Sequence, residues 1–218
     1  ENFDFDEIWQ SLLDLDIASF QPDFIGITCM FTMSHESLKR ICAWVSSKKI
    51  PFGVGGVHMS YDQAYVLDDI PTIPIAFLRE GDLVIKNFIG VVNRTVDADR
   101  LGQMILNSGK ARISLDNECV PSEEEINVIP AWDLVDARNM SKYGVMGSFK
   151  FLIPEGTRIS TILSNRGCRA QCSFCGVRGF NGKGVRKRSI SSVVDELELL
   201  RDEYGIGHIM WLDDDLLK

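Results

Sequence analysis

No stretch of this 218-residue chain reaches the ~18 uncharged apolar residues that a membrane-spanning helix requires. Its start, Glu1-Asn2-Phe3-Asp4, has neither the basic opening nor the apolar run of a secretion signal. It also lacks an initiator Met and stops at Lys218 just after an apolar run, so the expectation is a piece of a longer protein. Positive charge is in short supply. A net charge of −8 argues against a general nucleic-acid binder. Histidine is scarce, with only His35, His58 and His208. Without a secretion signal the six cysteines point to a reducing compartment, the cytoplasm, where clustered cysteines bind metal more often than they form disulfides.

One absence is local. Residues 156–194 contain no acid, yet they hold Arg158, Arg166, Arg169, Arg178, Lys183, Arg186, Lys187 and Arg188. Such a run is either a solvated basic loop or a site for an anionic ligand. Its position around three of the cysteines favours the second.

With 45% apolar residues, the chain can build one large domain or two small ones, each with a core. Residues 1–110 alternate between strand and helix patterns. Residues 6–15 read as helix and 24–31 as a strand. Ser34 can cap a helix carrying Leu38, Ile41, Cys42 and Val45 on one face, which Pro51 ends. Residues 52–56 form a second strand running into a Gly-Gly turn. Residues 61–67 read as helix, 73–78 as a third strand and 97–108 as a further helix. This pattern predicts a parallel sheet covered on both faces, with ligands beyond the carboxyl ends of its strands. Cys29 and Cys42 belong to apolar contexts and are expected to be buried. Cys119 has no assigned role.

Residues 111–157, polar, acidic and punctuated by Pro121, Pro130, Pro154, Gly144 and Gly147, read as a linker ordered in part around Trp132 and Leu134. Residues 158–218 open a second α/β unit: a strand at 159–163, the cysteine loop, a helix at 191–204 with Val194, Leu197, Leu200 and Tyr204 on one face, and a strand at 208–212 ending in Asp213-Asp214-Asp215.

The loop reads Cys168-Arg-Ala-Gln-Cys172-Ser-Phe-Cys175. Three thiolates can hold three irons of a cubane cluster and leave the fourth iron open. An all-protein cluster or a structural zinc site needs four ligands. No fourth Cys or His lies close in sequence, although a distant Cys29, Cys42 or Cys119 could complete a zinc site.

This C-x3-C-x-aromatic-C motif, following a strand, resembles that of the radical S-adenosylmethionine (SAM) superfamily, and the resemblance covers residues 159–216. It implies that Cys168, Cys172 and Cys175 ligate a [4Fe-4S] cluster and that SAM chelates the open iron. It also implies that Phe174 lies beside the adenine and that electron transfer cleaves SAM to a 5′-deoxyadenosyl radical. Asp213 and Asp214 stand where that family holds the SAM amino group, and a carboxylate suits the task. The residues do not choose between these two, nor exclude that the acids merely end an exposed strand. Arg186 and Arg188 either pair with the SAM carboxylate or are solvated. No catalytic residue is assigned beyond the cluster.

The segment from Pro22 to Thr28, followed by a helix and then by Val54-Gly55-Gly56-Val57-His58, resembles the cobalamin-binding domain that precedes the radical SAM barrel in one large class. The resemblance implies that Thr28, Met30, Gly55, Gly56 and His58 face cobalamin, the glycines by leaving room for its nucleotide tail. For His58 a turn residue at the pocket mouth is weighed against a cobalt ligand. The Asp-x-His-x-x-Gly loop of some members is absent, and three strands are clear where the full fold has more.

The fold expected is therefore α/β: a Rossmann-like parallel sheet domain of cobalamin-binding type, then the first βαβ unit of a partial TIM-type (βα)6 radical SAM barrel. The function expected is a cobalamin-dependent radical SAM enzyme, with methyl transfer to an unactivated centre of a small-molecule substrate. An electron donor such as flavodoxin or ferredoxin would serve it. Alternatives are a radical SAM enzyme without cobalamin, of cyclase, rearrangement or methylthiotransferase type, and a zinc-stabilised nucleic-acid-binding module. By itself the chain lacks most of a barrel and is expected to turn nothing over.

Overall fold

A computed structural model describes residues 5–140 and 152–216. Gly144 and Gly147 lie outside the described residues. The chain divides into two compact units, Glu1–Cys119 and Val120–Lys218.

The first unit begins with α1 (Phe5–Phe20), whose Trp9 ring meets Trp44 edge-on at 5.5 Å. Strand β1 (Ile25–Thr28) follows, then α2 (His35–Ser47), which buries Leu38, Cys42 and Val45 as the helical spacing predicts. Ser34 stands at the N-cap without a side-chain capping bond. Strand β2 (Phe52–Gly55) pairs in parallel with β1, Ile25 opposite Phe52 through to Thr28 opposite Gly55. The helical stretch expected at 61–67 is two helices, α3 (Val57–Tyr61) and α4 (Gln63–Asp69), broken at Asp62. Strand β3 (Ile75–Phe77) pairs in parallel with β2, and α5 (Gly81–Val92) follows it.

The sheet then departs from the expected all-parallel form. The helix predicted at 97–108 is a single 3-10 turn, Ala98–Arg100, followed by strand β4 (Met104–Asn107), antiparallel to β3. Asn117 explains the change: its amide donates to the carbonyls of Asp99 and Leu101, both at 2.8 Å, which a helix would have kept for itself. Its backbone also crosses so close to Gly102 that a Cβ there would lie 2.1 Å from the Asn117 oxygen. Strand β5 (Arg112–Leu115), antiparallel to β4, completes the order β1-β2-β3-β4-β5. The first unit thus extends into the predicted linker as far as Cys119, a buried thiol packed with Phe77, Val84 and Met104.

The rest of that segment belongs to the second unit. Helix α6 (Glu123–Ile126) starts with a capping box between Ser122 and Glu125. Trp132 is buried beside Leu200 and Ile206, while Leu134 is exposed. Strand β6 (Ile159–Ile162) pairs in parallel with β9 (His208–Trp211). Between them lie a hairpin of β7 (Asn165–Cys168) and β8 (Gly184–Lys187), with α7 (Val177–Asn181) in its loop, and then α8 (Ile190–Asp202).

Helix α8 buries Leu200 as expected, with Tyr204 packed on the same cluster, but turns Val193 and Glu196 inward where Val194 and Leu197 were expected; Val194 is exposed. The inward residue that hydropathy missed is an acid. Glu196 is 1% exposed, ion-paired with Arg188, and accepts the Trp132 indole N–H at 3.0 Å. A buried acid is tolerated when its charge is paired and its oxygens are bonded.

Candidate functional site

In the first unit the relevant ground is the carboxyl end of β1 and β2. Thr28 is exposed at the end of β1, opposite Gly55. The chain then turns through Cys29, whose N–H donates to the Gly55 carbonyl at 2.9 Å and whose carbonyl accepts from the His58 N–H at 3.1 Å. Beyond it Met30, Phe31 and Met33 are exposed, Met33 to 90%. Three large apolar side chains on one short exposed loop form a surface ready for an apolar face.

One glycine of the Gly-Gly turn has a basis in the chain itself. Gly56 has φ 102°, and a Cβ on it would lie 2.4 Å from the Cys29 oxygen; a Cβ on Gly55 would lie 3.4 Å from the Phe77 oxygen. Gly56 is accounted for by the chain's own packing, whereas a Cβ on Gly55 would make only ordinary contact.

His58 is corrected more sharply. It is neither a turn residue nor open to a metal: it lies in α3, buried, with both ring nitrogens engaged. Nδ1 meets Asp62 at 3.1 Å, and Nε2 meets His35 Nδ1 at 3.0 Å. His35 Nε2 reaches Asp69 at 3.0 Å, and Lys39 Nζ closes the chain on Asp69 at 2.8 Å. Hydrogen bonds at both carboxylate contacts and at the contact between the rings require three protons on four ring nitrogens, so the pair is fully bonded when one imidazole is charged. Lys39 and His35 hold the Asp69 carboxyl below its ordinary value. Sequence reasoning missed His35, because its partners lie 23 and 34 residues away.

The thiols fall into two sets. Cys29, Cys42 and Cys119 are buried. Burial, helped by the nearby Cys29, pushes Cys42 up to about 12; burial likewise raises Cys29 and Cys119. These are neutral core thiols at neutral pH. Cys168 is half-buried at the end of β7, and Cys172 and Cys175 are exposed. None of the six is in a disulfide. The Ala170 N–H points at Cys168 Sγ from 3.4 Å, and the Cys175 N–H bonds the Cys172 carbonyl at 3.1 Å. Phe174 between them is 89% exposed. Among the described residues no three His, Cys, Asp or Glu side chains converge as a single metal ion would need. A cubane cluster does not ask that of them, since each thiolate binds a different iron.

The acids at the end of β9 separate. Asp213 Oδ1 accepts from the N–H of Ser164 at 2.7 Å and of Asn165 at 3.2 Å; Oδ2 accepts from the Ser164 hydroxyl and from Asn165 Nδ2 at 3.1 Å. Asp215 takes a two-pronged ion pair from Arg169, Nε at 2.8 Å and Nη2 at 3.1 Å. Asp214 has no hydrogen bond or ion pair among the described residues. The residue is exposed overall, yet its carboxyl is partly withdrawn from water and lies beside the charge of Asp213, and both effects raise its pKa. Of the two acids expected to face a ligand, the structure leaves Asp214 open and occupies Asp213.

Two arginines of the basic run are engaged by the chain itself, while Lys183 and Lys187 are exposed. Arg188 is buried, on Glu196, the Leu163 carbonyl at 3.0 Å and the Ser192 hydroxyl at 3.0 Å. Arg186 donates to the carbonyls of Pro121 at 2.7 Å and Asn181 at 2.8 Å. Both guanidiniums support backbone turns.

Solved structures share this fold. The chain matches OxsB, a cobalamin-dependent SAM radical enzyme with aqua-cobalamin and SAM bound, at a TM-score of 0.69 and 19% identity, over 94% of this chain and 27% of that one. It matches the radical SAM methyltransferase TsrM from Kitasatospora setae, with cobalamin and a [4Fe-4S] cluster bound, at 0.67 and 19%, over 94% and 40%. The fold is that of cobalamin-dependent radical SAM enzymes. In sequence the chain is 28% identical to cytidylyl-2-hydroxyethylphosphonate methyltransferase of Streptomyces wedmorensis, over 92% of its own length and 41% of the relative's. It is 26% identical to an anaerobic magnesium-protoporphyrin IX monomethyl ester cyclase of Cereibacter sphaeroides, over 91% and 31%. The chain therefore spans less than half the length of these curated relatives. No family model matches it. Among the described residues no helix is long and apolar enough to cross a membrane.

Proposed function

We propose that this chain is the cofactor-binding part of a cobalamin-dependent radical SAM enzyme whose full protein transfers a methyl group to an unactivated centre of a small-molecule substrate. The observation that carries the reading is the cysteine loop. It has three free thiols within eight residues, open to solvent or half-open, beginning at the end of β7 just past the parallel pair β6–β9, and the acid that follows β9, Asp214, has no hydrogen bond or ion pair among the described residues. Core cysteines are buried, as the other three are; these have no packing role to explain them.

Cys168, Cys172 and Cys175 would hold a [4Fe-4S] cluster, which supplies the electron for reductive cleavage of SAM. Asp214 would take the SAM amino group. Burial and the neighbouring Asp213 charge raise its pKa, and an ammonium group beside it would favour the charged form. Phe174 offers its exposed ring and backbone to the adenine. In the first unit, Thr28, Met30 and the Gly55-Gly56 turn line the strand end where cobalamin would lie, with the apolar Met30, Phe31 and Met33 against it; His58 would act only through the backbone it braces. A flavodoxin or ferredoxin in the cytoplasm would supply the electron.

Anaerobic reconstitution of the intact protein with iron and sulfide, followed by exposure to a corrinoid, tests this. A brown protein with a full cubane's iron that also takes up red corrinoid supports the proposal. Iron without corrinoid would leave a radical SAM enzyme whose amino-terminal unit binds none. Zinc alone would return the chain to a metal-stabilised module.

A further inference from the structure

Resting on the cluster reading above, we infer that Asp213 and Asp215, through Ser164, Asn165 and Arg169, form a clamp that positions the first cluster ligand, Cys168. They are positioning residues and not ligands of SAM.

The β6–β9 ladder ends where the Leu212 N–H meets the Ile162 carbonyl at 3.0 Å. Past that point β6 turns away into β7, and the N–H groups of Ser164 and Asn165 have no strand to donate to. The Asp213 carboxylate takes both and adds the two side chains, so its oxygens continue the ladder around the corner. A carboxylate facing four donors is matched in charge and in lone pairs, which an amide is not.

On the far side of Cys168, Asp215 holds Arg169 by its backbone N–H at 3.3 Å and by both prongs of its guanidinium, with the Asp215 side chain only 12% exposed. The two grips straddle the cysteine, at Ser164 and Asn165 before it and at Arg169 after it. The β7–β8 ladder pins it too, opposite Gly184. Nothing comparable holds Cys172 and Cys175 among the described residues, where the turn bond between them is what the hydrogen bonds show. The loop thus has one preset ligand and two that close onto the cluster.

The test is the lifetime of the cluster, not turnover. The intact protein is reconstituted anaerobically and challenged with an iron chelator, and loss of the cluster's visible absorbance is followed. Groups that orient a metal's ligands matter by roughly 10–100-fold. Asp213→Asn and Arg169→Ala are each expected to shed the cluster faster by that factor, and Asp195→Asn, at an exposed acid of α8, to shed it at the wild-type rate. The exchanged pair, Arg169→Asp with Asp215→Arg, is expected to recover most of the lifetime lost in Arg169→Ala, which a mere folding defect would not allow. Thermal melts of the cluster-free proteins identify any variant that has simply unfolded. If wild type loads iron and all variants shed it at one rate, the clamp is wrong while the cluster stands. If wild type takes up no iron, the cluster reading fails and takes the clamp with it.

Discussion

The two units finish their parallel strands in opposite ways. At the end of β1 and β2 the two imidazoles are buried, joined to each other and to Asp62 and Asp69 nearer the surface, and beside Thr28 the side chains that reach solvent include Met30, Phe31 and Met33. At the end of β6 and β9 buried and half-buried carboxylates and their partners tie the corner together, and what reaches solvent includes thiols, an aromatic ring and one open acid. The difference matches what each end would receive. A corrin presents a broad apolar face, whereas an iron cluster with SAM asks for soft anionic ligands and a counter-charge. A strand end is only a place; the side chains left unsatisfied there say what it takes.

The harshest way to break the comparison is at the thiols. Cys168→Ala removes the preset ligand and is expected to abolish iron retention, read as iron per chain after desalting. Cys42→Ala should leave it unchanged, because that thiol is buried and neutral. Next in size is Glu196→Ala, which strands Arg188 in the interior (7% side-chain exposure). Breaking a buried pair from one side costs on the order of 3–5 kcal/mol, so the second unit should unfold at distinctly lower urea while the first is unaffected. Gly56→Ala attacks the other strand end: at φ 102° with the Cys29 oxygen in the way, it should cost about 1–3 kcal/mol and abolish corrinoid uptake without touching iron.

The smallest effect is electrostatic. Asp69 is held below its ordinary value by Lys39 first and His35 second. A carboxyl depressed in the folded state contributes stability that is present above its unfolded value near 3.8 and is lost as pH falls through the lower folded one. Lys39→Met should flatten the acid limb of the first unit's pH–stability curve, and salt should mask the change because the pair is exposed.

Much of this was legible in the sequence. The apolar runs of β1, β2, β6 and β9, the helical spacing of Leu38, Cys42 and Val45, and the open cysteine triplet all carry local signals. What escaped has its cause elsewhere in the chain. Strands β4 and β5 exist because Asn117 takes the carbonyls a helix would need. Glu196 points inward because Trp132 and Arg188, 64 and 8 residues away, satisfy it. His58 turns inward to His35, and Asp213 is occupied by residues nearly 50 positions earlier. Periodicity reports which face is apolar; it cannot report that a buried polar group has found a distant partner.

The most direct test of the central claim is the electron paramagnetic resonance spectrum of the reduced, reconstituted protein, recorded with and without SAM. If Cys168, Cys172 and Cys175 leave one iron open, the spectrum is that of a reduced [4Fe-4S] cluster and changes shape when SAM is added, and Asp214→Asn requires more SAM to produce the change. A reduced cluster whose spectrum ignores SAM at any concentration, or a protein with no such signal, would contradict the account.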